Sequence, residues 1–277
     1  MYNYILSISS WLHTKYLFLN VKICNKMKLH SVYLYFNGVH DKQLLLQYFV
    51  TYNNKDVLKI LMDNVHIYIK PLLRLAYVYS NYDTAKLSIE KGADIHAEND
   101  FALRWASLIG HHDIIKLLIE NGANVHAYDE RMALEREDIH YDAIHTACAC
   151  GHYDVVKLLI ANGSNIHDNA LRLASTYGHY NIVKLLIESG ANVRSTNNQS
   201  LKFAAQMGHC NVVKLLIEHG ADVNDNNNIA LRTASLNGYY DIVKLLIENG
   251  ANVHTVNHFE LHEISSRGYH DIMKLLI

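Results

Sequence analysis

Histidine and cysteine are the residues of this chain whose side chains could do the most chemistry, as metal ligands or as catalytic groups. The sequence of 277 residues contains 19 histidines and 4 cysteines. Four of the histidines recur once per repeated segment, at His96, His126, His167 and His254. Neighbouring stacked helices lie about 8–10 Å apart, whereas zinc ligands converge to about 2 Å from one ion. The pattern therefore predicts no metal site and no cofactor.

The cysteines also lack the spacing of a functional site. Cys148 and Cys150 precede His152 like a ligand cluster, but residues two apart on a helix point in different directions. Together with Cys24 and Cys210 they form no disulfide framework, and a reducing compartment requires none. We expect these side chains to serve packing.

Catalytic constellations are missing from the sequence. No set of serine, histidine and aspartate, no phosphate-binding glycine loop and no pair of catalytic carboxylates stands outside the repeated pattern. We therefore predict that the protein is not an enzyme and has no catalytic residues.

One column of lysines could form a stripe that binds nucleic acid. These residues are Lys86, Lys116, Lys157, Lys184, Lys214, Lys244 and Lys274. A glutamate follows five of them four residues later, and such pairs neutralise a helix face. The formal net charge of −2 also disfavours binding to a phosphate backbone. We predict a solvated face of ion pairs and no nucleic-acid partner.

The element that positions these side chains is a segment repeated along the chain. Its clearest version is GYYDIVKLLIENGANVH, from Gly238 to His254. The first glycine recurs at 110, 151, 178, 208, 238 and 268, in steps of 41, 27, 30, 30 and 30. In the five complete versions the second glycine follows twelve residues later. Units of fixed length joined by variable connections are typical of a repeat solenoid.

Between the two glycines the residues predict a helix with a wide buried face. The five apolar residues between positions 242 and 247 span about 200° at about 3.6 residues per turn, so the helix should contact neighbours on several sides. N-cap acceptors are predicted at Asp113, Asp154, Asn181, Asn211, Asp241 and Asp271. Structural caps are predicted at Gly110, Gly122, Gly151, Gly163, Gly178, Gly190, Gly208, Gly220, Gly238, Gly250 and Gly268.

Another helix is predicted before each first glycine. The segments FALRWASLIG, NALRLASTYG, QSLKFAAQMG and IALRTASLNG each place a leucine and, three residues later, an alanine on one face. The small alanine allows the paired helix to approach closely. The unit is therefore a helix hairpin followed by a short loop. The predicted fold class is an all-α solenoid of stacked helix-turn-helix units.

On these residues the chain resembles the ankyrin repeat family, because GH-x-[DN]-[IV]-V-K-LLIE-x-GA-[ND]-V is similar to the second-helix half of that repeat. The resemblance covers most of the chain from about Pro71 to Ile277. The family's repeat has about 33 residues, whereas the regular step here is 30, and Ala102-Leu103-Arg104 and similar segments replace its Thr-Pro-Leu-His opening. The resemblance implies an inter-repeat hairpin shortened to a tight turn. Units of this kind also look like those of ankyrin repeat proteins from giant DNA viruses.

The array is predicted to extend from 44 to 277. Degenerate repeats are expected at 44–97, regular repeats at 99–127, 141–167, 168–194, 198–224 and 228–254, and a partial repeat at 258–277. The long step of 41 reflects an insertion at about 127–140 that is rich in acidic residues. This insertion is either a finger that contacts a partner or a tolerated solvated loop, since extra loop length is penalised only weakly.

Residues 1–43 are predicted to be a leader that caps the first repeat. Residues 1–28 are apolar and aromatic, but His13, Lys15, Asn20 and Lys22 interrupt them. A membrane span needs about 18 or more nearly uncharged residues, and a signal peptide needs an early positive region and a cleavage site of small residues. We therefore predict neither, and expect an intracellular protein, in the host cytoplasm if the viral resemblance holds.

The resemblance implies a monomeric protein-protein interaction module that binds a partner protein, and no membrane, through the concave face of the array. In the family this face is made by the loop tips and the end of the first helix. The corresponding positions, which vary between repeats, are Leu108, Ile109, Tyr128, Thr176, Tyr177, Ser195, Gln206, Met207, Asp225, Leu236, Asn237 and Thr255. Two alternatives stay open. One is a substrate-recruiting adaptor for a host ubiquitin ligase, although the Leu-Pro opening of an F-box is missing, and the other is a decayed repeat gene product with no specific partner.

Overall fold

The computed structural model describes residues 50, 58–59, 69–128, 142–166 and 168–277. The predicted leader, most of the first degenerate repeat and most of the predicted insertion at 127–140 lie outside these residues. Within them the chain forms fourteen α-helices, one short 3-10 helix and no β-strand, which confirms the all-α prediction. None of the helices in this part of the chain combines the length and the apolar character that crossing a membrane requires.

The helices follow one another as hairpins, and the odd-numbered helices are called first helices and the even-numbered ones second helices. They are α1 Ile69–Val78, α2 Tyr82–Glu90, α3 Ala97–Ile109, α4 His112–Glu120, α5 Ala143–Cys150, α6 Tyr153–Ala161, α7 Asp168–Thr176, α8 Tyr180–Glu188, α9 Ser195–Gln206, α10 Cys210–Glu218, α11 Asp225–Leu236, α12 Tyr240–Glu248, α13 His258–Ser266 and α14 His270–Leu276. A short 3-10 helix covers Val253–Thr255. From α3 onwards a first glycine lies in the turn inside each hairpin.

The contacts divide the chain into two compact units. The first unit is Met1–Ala106 with His111–Asn124, and the second is Ser107–Gly110 with Val125–Ile277. In the first unit α1 packs on α2, and α2 packs on α4. In the second unit the first helices α5 to α13 pack side by side in chain order, and so do the second helices α6 to α14. Each hairpin of the second unit therefore packs mainly on its neighbours, as in an ankyrin solenoid.

Small side chains on the first helices and branched side chains on the second helices make the core of the second unit. Ala147, Ala174, Ala204 and Ala234 are fully buried, and their size lets the neighbouring first helix approach closely. On α8 the buried residues are Ile182, Val183 and Leu186. At about 3.6 residues per turn these three positions span about 100°, and Leu185 and Ile187 on either side of them are half-buried. The predicted arc of about 200° is therefore fully buried only at its centre on this helix.

The predicted N-caps of the second helices are wrong. The N-cap of α8 is His179 and that of α12 is Tyr239, and neither side chain caps its helix. Asn181 and Asp241 lie two residues later, inside the first turn, because the chain becomes helical immediately after the glycine turn. The carboxylate of Asp241 still interacts favourably with the positive end of the helix dipole.

The connections between repeats contain left-handed residues, which explains their unusual composition. Values of φ between +48 and +58° occur at Glu98, Asn99, Asp100, Asn198, Asn226, Asn227 and Asn228. Residues other than glycine enter this region only at an energetic cost, which is smallest for asparagine and aspartate. A left-handed turn therefore stands where the ankyrin family has its β-hairpin, and the backbone itself requires the asparagine-rich sequence.

The last left-handed residue of three connections is buried and joins its connection to the next one. Its side-chain Oδ1 accepts a hydrogen bond from a backbone N–H 24 residues later. The pairs are Asp100 with Asn124 at 2.9 Å, Asn198 with Asp222 at 3.3 Å and Asn228 with Asn252 at 3.0 Å. Asn198 also donates from Nδ2 to Oδ2 of Asp225 at 2.6 Å. These bonds fix the spacing of successive connections within each unit.

The residue that replaces the histidine of the ankyrin opening also serves the left-handed turn. Arg104 donates from Nε to the carbonyl of Asn99 at 3.1 Å and from Nη2 to the carbonyl of Glu98 at 3.0 Å. Where the opening keeps its histidine, the arrangement differs, because the buried His145 donates from Nδ1 to Oδ1 of Asp142 at 2.6 Å. Arg104 therefore satisfies two carbonyl groups of the left-handed turn, whereas Arg172 and Arg232 donate from Nε to the side chains of Asn169 and Glu260.

Candidate protein-interaction surface

The predicted recognition residues form two groups, one at the ends of the first helices and one in the connections between repeats. The turn group lies beside the first glycines and comprises Leu108, Ile109, Thr176, Tyr177, Gln206, Met207, Leu236 and Asn237. The linker group lies in the connections and comprises Tyr128, Ser195, Asp225 and Thr255. Helix α9 ends at Gln206, and the residues from 199 to 206, after the left-handed Asn198, rise by about 10 Å at 1.5 Å per residue. The structure therefore does not bring all twelve residues together.

The linker group is mostly engaged in holding the connections. Ser195 is 8% exposed, and Asp225 accepts the hydrogen bond from Asn198. Thr255 donates from its hydroxyl to the carbonyl of Asn252 at 2.8 Å. Tyr128 is the exposed member of this group, at 41%. The linker group offers little surface to a partner.

The turn group contains most of the exposed apolar surface among the predicted residues. Tyr177 and Met207 lie on adjacent repeats and are 56% and 50% exposed. Leu108 and Ile109 are 40% and 37% exposed. Thr176 is half-buried and donates to the carbonyl of Arg172 at 2.7 Å. Apolar side chains at this exposure are available for contact with another molecule.

Three tyrosines that the sequence reasoning missed lie next to this group. Tyr153, Tyr180 and Tyr240 are the first residues of α6, α8 and α12, and they are 39%, 41% and 41% exposed. The same residue type recurs at this position in several repeats, which is typical of a structural role, and the three tyrosines were therefore not predicted to contact a partner. The available signal was a tyrosine that recurs two residues after the first glycine. We call the exposed set the turn surface: Leu108, Ile109, Tyr153, Tyr177, Tyr180, Met207 and Tyr240.

Histidines hold the repeats beneath the turn surface at a fixed distance. His152, His179 and His209 donate from Nε2 to the carbonyls of Leu108, Ala149 and Thr176 in the preceding repeat, each at 3.0 Å. These acceptors lie in the last turns of first helices, where carbonyl groups lack a partner inside the helix. These three histidines therefore have a structural role in the array.

The same histidines explain why the first glycines are glycine. Gly178 has a φ of +75°, and a Cβ atom there would lie 2.5 Å from Nδ1 of His209. Both the left-handed backbone and the neighbouring ring therefore exclude a side chain. The ring of His179 also stacks on that of Tyr177, with centroids 6.4 Å apart, which couples the exposed tyrosine to the histidine beneath.

Four of the five predicted lysine–glutamate pairs form on the outer face of the second helices. The ion pairs are Lys116–Glu120, Lys184–Glu188, Lys214–Glu218 and Lys244–Glu248, with N···O distances of 3.9 to 4.0 Å. Such exposed pairs contribute little stability, but they leave no continuous basic stripe along these helices. Among the described residues no three His, Cys, Asp or Glu side chains are close enough to hold a metal ion.

The cysteines should differ sharply in reactivity. Burial raises the pKa of the Cys148 thiol far above its ordinary value and also raises the pKa of the more exposed Cys150. Because the thiolate is the reactive form, we expect iodoacetamide to label Cys150 at a rate that keeps rising above pH 9, and Cys148 at least about a hundredfold more slowly. Mass spectrometry of the digested protein would separate the two sites. Equal rates in the folded protein would contradict the burial of Cys148.

Comparison with known proteins gives a consistent result for the fold. The family model described as "Ankyrin repeats (3 copies)" matches residues 72–170, 130–197, 144–227 and 171–257. The chain is similar to the crystal structure of the human ASB11 ankyrin repeat domain, with a TM-score of 0.64 and 22% identity, covering 74% of this chain and 97% of that chain. At this identity the likeness shows the fold alone. The search of curated proteins gives no match.

Proposed function

Since the chain belongs to the ankyrin repeat family, whose repeats generally mediate protein-protein interaction, we propose that it is a non-enzymatic module that binds a partner protein through the turn surface. The observation that carries this proposal is the exposure of Tyr177 and Met207 on adjacent repeats, at 56% and 50%. Tyrosine and methionine are enriched in protein interfaces, where they supply contact area. The proposed binding region is therefore smaller than the whole concave face expected from the sequence, because it lies only at the C-terminal ends of the first helices and in the turns that follow them.

The variation along the array supports the same assignment. At the position before the first glycine the residues are Ile109, Cys150, Tyr177, Met207, Asn237 and Arg267. The glycine that follows is constant, because its left-handed backbone conformation requires it and because, at all of these positions except Gly268, a neighbouring ring also excludes a side chain. Variation beside a constant residue is expected where the fold does not dictate the side chain. We propose that part of this column carries the specificity for the partner.

The resemblance to proteins of giant DNA viruses leads to a finer proposal about the partner. We propose that it is a protein of the host cell and that binding takes place inside that cell. Tyr153, Tyr180 and Tyr240 would add aromatic contacts around the central pair. In an interface a few such side chains account for most of the binding free energy.

A capture experiment tests the proposal. The tagged protein is incubated with host lysate, and bound proteins are compared between wild type and the double variant Tyr177→Ala with Met207→Ala. We expect recovery of the specific partner to fall at least about tenfold, because these two side chains are the most exposed of the turn surface. Circular dichroism should show unchanged helix content in the variant.

Lys184→Ala provides the matched control, since Lys184 is exposed on the outer face of the same repeat and pairs with Glu188 at 3.9 Å. It should leave recovery unchanged. Equal losses in the double variant and in Lys184→Ala would place the contact elsewhere, and capture of no specific protein would contradict a binding function. Recovery of ubiquitin-ligase subunits by the wild type would instead support the adaptor function.

A further inference from the structure

Five joints between repeats of the second unit share one packing contact. At each joint the ring of the residue after a first glycine covers the first glycine of the preceding repeat. The pairs are Gly110 with His152, Gly151 with His179, Gly178 with His209, Gly208 with Tyr239 and Gly238 with Tyr269. The first three are histidine joints and the last two are tyrosine joints. Packing alone does not distinguish them, because an imidazole and a phenol both cover the glycine.

The hydrogen bond that ties the repeats distinguishes the two kinds of joint. At the histidine joints Nε2 donates to the carbonyl two residues before the covered glycine. At the tyrosine joints neither phenol makes a hydrogen bond with the described residues. The carbonyl two residues before the covered glycine still accepts a hydrogen bond, from another side chain. Asn237 donates from Nδ2 to the carbonyl of Gln206 at 3.3 Å. Arg267 donates from Nη1 to the carbonyl of Leu236 at 2.7 Å.

The two replacement donors occupy one position in the repeat. Asn237 and Arg267 each stand immediately before a first glycine and two residues before the tyrosine of their joint. Both side chains are held by a second interaction, since Asn237 also donates to the carbonyl of Thr233 at 3.0 Å and Arg267 pairs with Glu263. At the three histidine joints this position holds Cys150, Tyr177 and Met207, which make no such bond.

We infer that the residue before the first glycine takes over the inter-repeat tie wherever tyrosine replaces histidine, so that Asn237 and Arg267 are positioning residues of the array. The physical reason is the carbonyl at the end of each first helix, which needs a donor from the next repeat. Histidine supplies the donor from the ring that covers the glycine. The phenol of tyrosine carries its oxygen at the far end of the ring, and a neighbouring side chain must supply the donor.

The difference between histidine joints and tyrosine joints also restricts which residues before a first glycine can contact a partner. This consequence rests on the proposed function. At histidine joints the residue before the glycine donates no inter-repeat hydrogen bond, and Tyr177 and Met207 are exposed there. At tyrosine joints the same position is engaged in the tie. Asn237, which the sequence alone places among the recognition residues, therefore belongs to the frame. The recognition part of this column ends at Met207.

A double-mutant cycle tests the inference without any partner protein. Asn237→Ala is expected to lower the folding equilibrium constant about three- to tenfold in the wild-type chain, the usual range for a lost hydrogen bond. In the background Tyr239→His the histidine regains the tie, and the effect of Asn237→Ala should shrink to about twofold or less. Urea unfolding of the four proteins supplies the constants. Equal effects in both backgrounds would overturn the inference.

If Tyr239→His fails to fold, the same cycle can be measured at the other tyrosine joint, that of Gly238 with Tyr269. Arg267→Met should be destabilising in the wild-type chain and nearly neutral in the Tyr269→His background. Met207→Ala is the matched control, because it removes a side chain from the same position at a histidine joint. A loss for Met207→Ala as large as that for Asn237→Ala would show that the position matters through packing, and would also overturn the inference. These measurements involve no binding, so they stand or fall separately from the proposed function.

Discussion

Gly178→Ala is expected to destabilise the second unit by about 3–5 kcal/mol, since three separate penalties add at this position. Alanine is strained at a φ of +75°. The new Cβ would lie 2.5 Å from Nδ1 and 2.8 Å from Cγ of His209, so the imidazole must move. Moving the ring breaks its 3.0 Å hydrogen bond to the carbonyl of Thr176. Urea unfolding followed by circular dichroism measures the change.

Gly190→Ala measures the cost of the left-handed backbone alone, without the steric clash between a new Cβ atom and a neighbouring ring. Gly190 has a φ of +99°, but a Cβ atom there would meet nothing within 4 Å. The variant should therefore lose only about 1–2 kcal/mol, the cost of a left-handed conformation for an ordinary residue. If the two variants were equally unstable, the ring of His209 would contribute nothing to the requirement for glycine.

The second large effect is expected for Asn198→Ala, at about 2–4 kcal/mol, because this change removes two inter-repeat bonds and strains the backbone. Asn198 is 6% exposed and has a φ of +51°. Its Nδ2 donates to the carboxylate of Asp225 at 2.6 Å, and its Oδ1 accepts from the backbone N–H of Asp222 at 3.3 Å. Amide exchange should show the local effect at Asp222, whose N–H loses its acceptor.

Asn227→Ala is the matched control for this prediction. Asn227 has a φ of +58°, but its side chain is exposed and makes no hydrogen bond with the described residues. Alanine there should cost about 1 kcal/mol, from the backbone alone. A loss at Asn227 as large as that at Asn198 would show that the conformation, rather than the buried bonds, sets the stability of the connections.

The sequence by itself determined the architecture of this protein, because the residues that define each helix hairpin lie close together in the sequence and recur in every repeat. The spacing of the glycines gives the helix lengths, the apolar residues give the buried faces, and the leucine and alanine pairs give the hairpins. The glutamate that follows Lys184 predicts the ion pair seen at 3.9 Å. These features depend on neighbours along one helix, and the helical geometry is known in advance.

The tertiary structure decided what the side chains between repeats do. The helix begins at Tyr240 and not after Asp241, where the predicted N-cap would place its start, since the turn sets the first helical residue. Asn198 and Asn237 both look like exposed polar residues in the sequence, yet each donates to an atom of an adjacent repeat. Such bonds depend on the distance and rotation between stacked hairpins, which no single repeat contains. For the same reason the twelve predicted recognition residues divide into two groups, and only the stacking of the repeats shows which of them are exposed.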